Sequence, residues 1–203
     1  MSLGLVDRFG NALGNAQASK TNGGLLIQHA GALFDEAVDR GRVFATANQT
    51  TVTTQAGLSA TTPALTIANR AGSGKAVKLW YVSATSLVAA GAAAAVWACL
   101  GGSAVAAAVT ETTAATVRNM KTGDASLPEG IGVSAVATLP AAPVAIGQLG
   151  AQTTAAITTS PVGSFFERWY NGALRIAPGF NFTIQTSTAS TLFCEYIFEV
   201  VDL

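Results

Sequence analysis

The chain has 203 residues, of which 50% are hydrophobic and only 11% are charged, and its eleven basic and eleven acidic side chains give a formal net charge of zero. That length suits one domain, or a domain of about 150 residues with an additional arm, and so few charges mean that small polar residues or another protein chain must cover the surface. A neutral chain without a basic run is not expected to bind nucleic acid, because binding to a phosphate backbone depends on clustered positive charge.

Residues 1–43 form a segment in which apolar residues are scattered between glycines and asparagines. Leu33 and Ala37, like Phe34 and Val38, have the i, i+4 spacing of a helix, and Gly41 stands where that helix would end. We therefore predict an extended N-terminal arm with one short helix over residues 1–43. Such an arm is stable only when it lies on another surface.

Residues 44–203 carry runs rich in Thr, Val and Ile that alternate with turn residues, a pattern typical of an all-β sandwich. The sequence AGSGK at 71–75 is similar to a phosphate-binding loop, but Asn69 occupies the place of the first glycine and Ala76 follows the lysine. The following AVKLWYV is typical of a strand, whereas a phosphate-binding loop is followed by a helix. We predict a hairpin turn at this point and no nucleotide site.

Residues 83–110 contain no charge and are long enough for a membrane-spanning helix. Alanine and glycine dominate them, so we favour two strands joined by VAAGAAAA and expect no membrane segment, although an alanine run also suits a helix. The stretch 111–161 that follows is an excursion rich in small residues. Its prolines, Pro140, Pro143 and Pro161, fit loops and sheet edges.

The C-terminal region shows the clearest strand pattern. Apolar and polar residues alternate in LRIAPGFNFTIQT and again in TLFCEYIFEVVDL, and period-two alternation indicates strands with one buried face. We predict that these two strands form an antiparallel hairpin joined by TSTAS. The predicted core residues of that one sheet are Phe180, Phe182, Ile184, Cys194, Tyr196 and Phe198.

The residues that catalysis or metal binding requires are sparse. His29 is the only histidine, which excludes a multi-histidine metal site within one chain, and we expect no histidine-based triad. Glu195 and Glu199 would lie about 13 Å apart on a strand, too far for a glycosidase pair, so they indicate a solvated face or an ion pair with a neighbouring strand or chain. Cys99 and Cys194 are predicted to be buried free thiols, a disulfide being the alternative. We therefore expect that the protein is not an enzyme and that it binds no cofactor, metal or small-molecule substrate.

The densest aromatic cluster is FFERWYNG at 165–172. Together with Trp80 and Trp97 it could form a platform on which sugars or bases stack. We favour the alternative that the cluster closes one end of the sandwich or fills a subunit interface, since aromatic residues dominate both. The candidate interface aromatics are Phe165, Phe166, Trp169 and Tyr170.

Two blocks of the chain resemble β-sandwich virion proteins of tailed bacteriophages, of the capsid decoration, cement or head-fibre type. These blocks are GRVFATANQTTVTTQAGLSATTPALTIANRAGSGKAVKLWYV and GALRIAPGFNFTIQTSTAST. The shared features are a Thr-rich opening strand, an N..GSGK turn into an apolar strand, and a late G.L.I.PG turn. They are features of strands and turns and transfer no functional residue.

The resemblance implies a jelly-roll-like antiparallel sandwich that forms a homotrimer, binds the major capsid protein on the exterior of the virion, and is assembled in the host cytoplasm. The alternative that it leaves open is a host-receptor-binding tail-fibre or spike protein, and a carbohydrate-active enzyme is disfavoured because no carboxylates converge in the sequence pattern. In a decoration protein the arm would contact the capsid or a neighbouring subunit, or would fold back on its own sandwich. The candidate contact residues are Leu5, Val6, Phe9, Leu13, Leu25, Leu26, Ile27, Leu33 and Phe34.

Overall fold

A computed structural model describes residues 3–6, 12–18, 25–26, 30–86, 93–102, 109–152 and 164–203. The chain divides into two units, Met1–Arg40 and Gly41–Leu203. The described elements are, in chain order, β1 Leu3–Val6, β2 Ala12–Ala18, β3 Leu25–Leu26, α1 Ala30–Asp39, β4 Val43–Ala47, β5 Val52–Thr53, β6 Thr66–Asn69, β7 Lys75–Ser86, β8 Ala94–Gly102, β9 Thr110–Ala114, β10 Thr116–Asn119, β11 Ile131–Thr138, β12 Val144–Gln152, β13 Ser164–Ile176, β14 Phe180–Thr186 and β15 Thr191–Asp202.

The first unit contains the short helix and three strands. Strands β1, β2 and β3 form an antiparallel sheet in that order, with Leu3 opposite Ala16. In α1, Glu36 and Arg40 form an ion pair at i, i+4 spacing. The extended parts of the arm therefore pair with one another, which the sequence pattern did not predict.

The second unit is a sandwich of two antiparallel sheets, as the alternation of apolar and polar residues predicted. The sheet that we call sheet I has the order β10-β4-β15-β7-β13, with β5 also paired to β15. The sheet that we call sheet II has the order β12-β8-β14-β6-β11-β9. The pairings within both sheets are antiparallel.

Eight of these strands have the order of a jelly roll. Strand β4 pairs with β15, β6 with β14, β7 with β13 and β8 with β12, so the chain forms nested antiparallel pairs. Folding these pairs over gives the half-sheets β4-β15-β7-β13 and β6-β14-β8-β12, the arrangement of two Greek keys. Strands β9, β10 and β11 are inserted between β8 and β12, and they extend the two sheets beyond β4 and β6.

The predicted C-terminal hairpin is wrong, although both of its strands exist. Strand β14 pairs with β6 and β8 in sheet II, whereas β15 pairs with β4 and β7 in sheet I. Alternation shows which face of a strand is buried but not which strand pairs with it. The short connection between β14 and β15 crosses from one sheet to the other. Of the six predicted core residues, Phe180 is 41% exposed and the other five are buried.

The buried residues of β14 and β15 face each other across the sandwich. The Phe182 ring meets the Tyr196 ring edge to face at 5.4 Å, and the Tyr196 hydroxyl donates a hydrogen bond of 2.6 Å to the Leu65 carbonyl. Cys99 and Cys194 are buried free thiols, as predicted, and burial raises the pKa of each to about 12. Cys194 is part of the apolar core cluster between the sheets.

The AGSGK segment joins β6 to β7. A strand follows it, as predicted, but β6 and β7 belong to different sheets, so the segment is a crossing turn and not a hairpin. Asn69 holds the turn, since its side-chain amide donates to the carbonyls of Lys75 at 2.8 Å and Ile176 at 2.9 Å. The Lys75 ammonium binds Asp202 at 2.8 Å.

The uncharged region and the proline-containing region both contain strands. Strand β7 ends at Ser86 and β8 begins at Ala94, whereas residues 87–92, which include the first five residues of VAAGAAAA, lie outside the described residues. No helix in the described part of the chain is long and apolar enough to cross a membrane. Pro140 and Pro143 lie in the loop between β11 and β12, as predicted, and Pro161 lies outside the described residues.

Candidate interaction surface

The aromatic cluster lies on β13, which is the edge strand of sheet I. Along this strand Phe165, Glu167 and Trp169 are exposed, whereas the alternate residues Phe166 and Tyr170 are half-buried. The pleat of a strand separates these two sets onto opposite faces. The four candidate interface aromatics therefore divide into an outward pair and an inward pair.

The inward pair closes the open side of the sandwich, between β13 and the facing edge strand β12. A Cβ atom at Gly150 would overlap the Phe166 ring, so only glycine allows this close approach. Arg168 donates a hydrogen bond of 2.8 Å to the Gln148 carbonyl of β12 and lies 5.9 Å from the centre of the Tyr170 ring. Through these contacts the inward residues cover the open side of the sandwich, which agrees with one of the two roles predicted for the aromatic cluster from the sequence.

The outward pair is exposed, with Phe165 at 56% and Trp169 at 57%. The Trp169 ring lies 4.7 Å from the Tyr81 ring of β7, with the two planes at 51°. The Tyr81 hydroxyl donates a hydrogen bond of 3.0 Å to Glu167 Oε2. Burial raises the pKa of Tyr81, and the negative charge of Glu167 raises it further, so this hydroxyl keeps its proton at neutral pH.

The register of β15, β7 and β13 places these side chains in three rows across the outer face of sheet I. Glu195, Ser83 and Glu167 form the central row. On one side of it lies the row Ile197, Tyr81, Trp169, and on the other lies the row Phe193, Thr85, Phe165. We call the six residues Phe165, Glu167, Trp169, Tyr81, Ser83 and Glu195 the glutamate–aromatic face.

Two glutamates that are far apart in the sequence therefore share one row of the outer face. Glu167 and Glu195 are two strands apart, which puts their Cα atoms about 9.5 Å from each other. The Ser83 hydroxyl lies between them and donates to Glu195 Oε2 at 3.5 Å. The sequence analysis compared neighbours along one strand, so it did not place Glu167 and Glu195 in one row across three strands.

Glu199, which the sequence paired with Glu195, is in a different environment. It is buried and forms ion pairs of 2.9 Å with Arg42 and 3.4 Å with Lys78. The solvated-face interpretation is thus wrong for Glu199, and the alternative of an ion pair with a neighbouring strand is confirmed, since Lys78 lies opposite it on β7.

Neither of the other two tryptophans belongs to this surface. Trp80 is buried on β7, and Trp97 is on β8 of sheet II, so the platform that combined them with the aromatic cluster is not formed. Among the described residues, no group of three or more His, Cys, Asp and Glu side chains could hold a metal ion. His29 lies outside the described residues.

A second surface lies along the edge of sheet II. On β12, Val144 is 67% exposed and Ile146 is 42% exposed, and in this sheet β12 pairs on one side only, with β8. The other side of the strand has no strand partner among the described residues, although side chains bond the carbonyls of Gln148 and Gly150. An unpaired strand edge readily accepts another chain.

The candidate contact residues of the arm lie in separate elements. Phe9 and Ile27 lie outside the described residues. The remaining residues are Leu5 and Val6 in β1, Leu13 in β2, Leu25 and Leu26 in β3, and Leu33 and Phe34 in α1. What they contact stays a prediction.

Comparison with known proteins identified no relative of this chain. No protein-family model, curated protein or solved structure matches the chain at a significant level. The functional argument therefore depends on the sandwich, its surfaces and the composition.

Proposed function

We propose that the protein is a structural virion protein of a tailed phage, a capsid decoration or cement protein that binds the capsid surface as a homotrimer and stabilises it. The observation that carries the proposal is the jelly-roll strand order of the unit Gly41–Leu203, which is the architecture that the resemblance to phage virion proteins implied. The charge content of 11% supports it, because a surface of small uncharged residues is buried between subunits at little desolvation cost.

The trimer contact is proposed at the β12 edge. There Val144 and Ile146 offer apolar area beside an unpaired strand edge. In a trimer with three-fold rotational symmetry, each β12 edge is buried against a neighbouring subunit, so no β12 edge stays exposed. We expect more than about 1,000 Å² to be buried between each pair of subunits.

Sedimentation tests the oligomer directly. We expect a trimer at micromolar concentration, and Val144→Lys should shift it towards monomer because the new charge would be buried at the edge. Thr53→Lys, at an exposed position of β5 in sheet I, is the matched control and should leave the trimer intact. A wild-type monomer with no self-contact in assembled particles would contradict the proposal.

The arm is the proposed attachment device. Residues 1–43 hold four acidic and four basic residues among scattered apolar ones, so contact with the capsid should be mainly apolar and should depend weakly on salt. The competing possibility is that the arm folds back on its own sandwich.

Deleting residues 1–40 separates these two possibilities and keeps Arg42, which pairs with Glu199. If the arm is the attachment device, the truncated protein stays folded and trimeric by circular dichroism and sedimentation but fails to bind capsids that lack the protein. If it unfolds, or decorates those capsids as well as the full chain does, the arm is not the device.

A second candidate function is host-receptor binding by a tail-fibre or spike protein. The observation that favours it is the exposure of Phe165 and Trp169 on one outer face, since exposed aromatic groups mark binding surfaces. Electron microscopy of labelled virions distinguishes the two functions, because a decoration protein lies on the shell and a receptor-binding protein lies on the tail.

A further inference from the structure

We propose that the glutamate–aromatic face binds a neutral oligosaccharide. The inference rests on the geometry of one chain, and it holds for a decoration protein as well as for a receptor-binding one. It also gives a role to the exposed carboxylates of Glu167 and Glu195, which the buried hydroxyls of Tyr81 and Ser83 hold in place.

The exposed aromatic rings suit an extended ligand with several apolar faces. Phe165 and Trp169 are separated by four residues of continuous strand register, which corresponds to about 13 Å. They therefore do not converge into a cage for a compact cation. Trp169 is already stacked on Tyr81, so its ring is oriented before a ligand binds, and little freedom is lost on stacking.

The carboxylates between the rings suit ligand hydroxyl groups. The Tyr81 hydroxyl binds Glu167, and the Ser83 hydroxyl binds Glu195. An ionised carboxylate has about four acceptor sites, so each retains capacity after this one bond. Hydrogen bonds to a charged acceptor are also stronger than neutral ones. A pyranose has apolar C–H faces, which stack on aromatic rings, and hydroxyl groups, which donate to carboxylates. The exposed rings and the glutamate carboxylates of this face provide both kinds of contact.

Charge selects against the other occupants. An anionic glycan or phosphate polymer would meet two carboxylates, and Lys78, one row further along β7, is bound to Glu199. A second copy of the chain packed face to face would bring the carboxylates of Glu167 and Glu195 against each other at a desolvation cost, and the row that holds Lys78 and Arg175 lies beyond the Tyr81 row. A cationic peptide is the remaining competitor, and its binding would depend on the negative charge.

Titration calorimetry of the full-length protein tests the inference. The probes are neutral oligosaccharides built from glucose, galactose, mannose and N-acetylglucosamine, with oligolysine and oligogalacturonate as the cationic and anionic comparisons. We expect at least one neutral oligosaccharide to bind with a Kd of about 1 mM or tighter. Trp169→Ala and Phe165→Ala should each weaken that binding about tenfold or more, while Met120→Ala, at an exposed apolar position directly after β10, should not change it.

Variants of Glu195 separate hydrogen bonding from charge. Glu195→Gln keeps an acceptor and removes the charge, so a neutral sugar should bind it within about threefold of wild type, whereas Glu195→Ala should lose about tenfold. Binding of oligolysine alone, abolished by Glu195→Gln, would replace the sugar with a cationic peptide. No binding of any neutral oligosaccharide, or binding that Trp169→Ala does not alter, overturns the inference. Capsid binding by the same variants is an independent readout, so failure here leaves the decoration proposal standing.

Discussion

Phe182→Ala is the substitution from which we expect the largest loss of stability in the sandwich. The Phe182 side chain is fully buried on β14 and has ring contacts with Tyr196 of β15 at 5.4 Å and Tyr170 of β13 at 6.5 Å. It therefore joins the two sheets as well as filling the space between them.

Replacing a buried Phe by Ala costs about 3 to 5 kcal/mol, depending on how far the cavity collapses. Here the surrounding residues belong to two hydrogen-bonded sheets that cannot move together freely, and two edge-to-face ring pairs are lost. We therefore expect about 4 kcal/mol. For a unit of this size that corresponds to a fall in Tm of about 8 to 16 °C.

The assay is guanidinium unfolding followed by circular dichroism, at one protein concentration because oligomer stability depends on it. The change should appear as a lower midpoint with an unchanged slope. Phe165→Ala is the matched control, since Phe165 is 56% exposed on β13, and it should cost less than about 1 kcal/mol. A loss below about 1.5 kcal/mol for Phe182→Ala, or an equal loss for the control, would refute the assigned packing.

Three further predictions concern buried groups of the sandwich. Glu199→Ala should lower the free energy of unfolding, measured in guanidinium, by about 2 kcal/mol. This is less than for a fully buried ion pair, because the side chains of Arg42 and Lys78 both reach solvent. An unchanged free energy of unfolding would mean that the two ion pairs contribute nothing to stability. Burial raises the pKa of Cys99 and Cys194 from an ordinary value of 9.0 to about 12, so between these values the folded state holds more protons than the unfolded state, and stability should fall as pH rises from 9 to 12. Cys99→Ala combined with Cys194→Ala should flatten that part of the pH profile, and an unchanged slope would contradict the assignment. Gly150→Val should lower Tm by several degrees because its side chain would overlap Phe166, and a crystal structure with Phe166 unmoved would show that the approach is looser than described here.

The composition of the glutamate–aromatic face could be predicted only in part from the sequence. The density of aromatic residues in FFERWYNG marked Phe165 and Trp169, and alternation along a strand puts them on one face. Tyr81 and Ser83 carried no such signal, because they lie in a strand whose residues are buried on both faces. Glu195 was compared with Glu199 along β15, whereas its functional neighbour Glu167 is two strands away.

The sequence by itself determined that the chain is a charge-poor β-sandwich and that five of the six residues predicted for the core of β14 and β15, all but Phe180, are buried. These properties are local or compositional: alternation with period two sets the buried face of a strand whatever its partners are. Only the tertiary structure decided that β14 and β15 belong to opposite sheets and that Glu195, Ser83 and Glu167 share one row. Strand pairing joins segments far apart in the chain, and several registers bury the same apolar faces. The choice among them depends on the packing of the whole sandwich, which no single stretch of sequence contains.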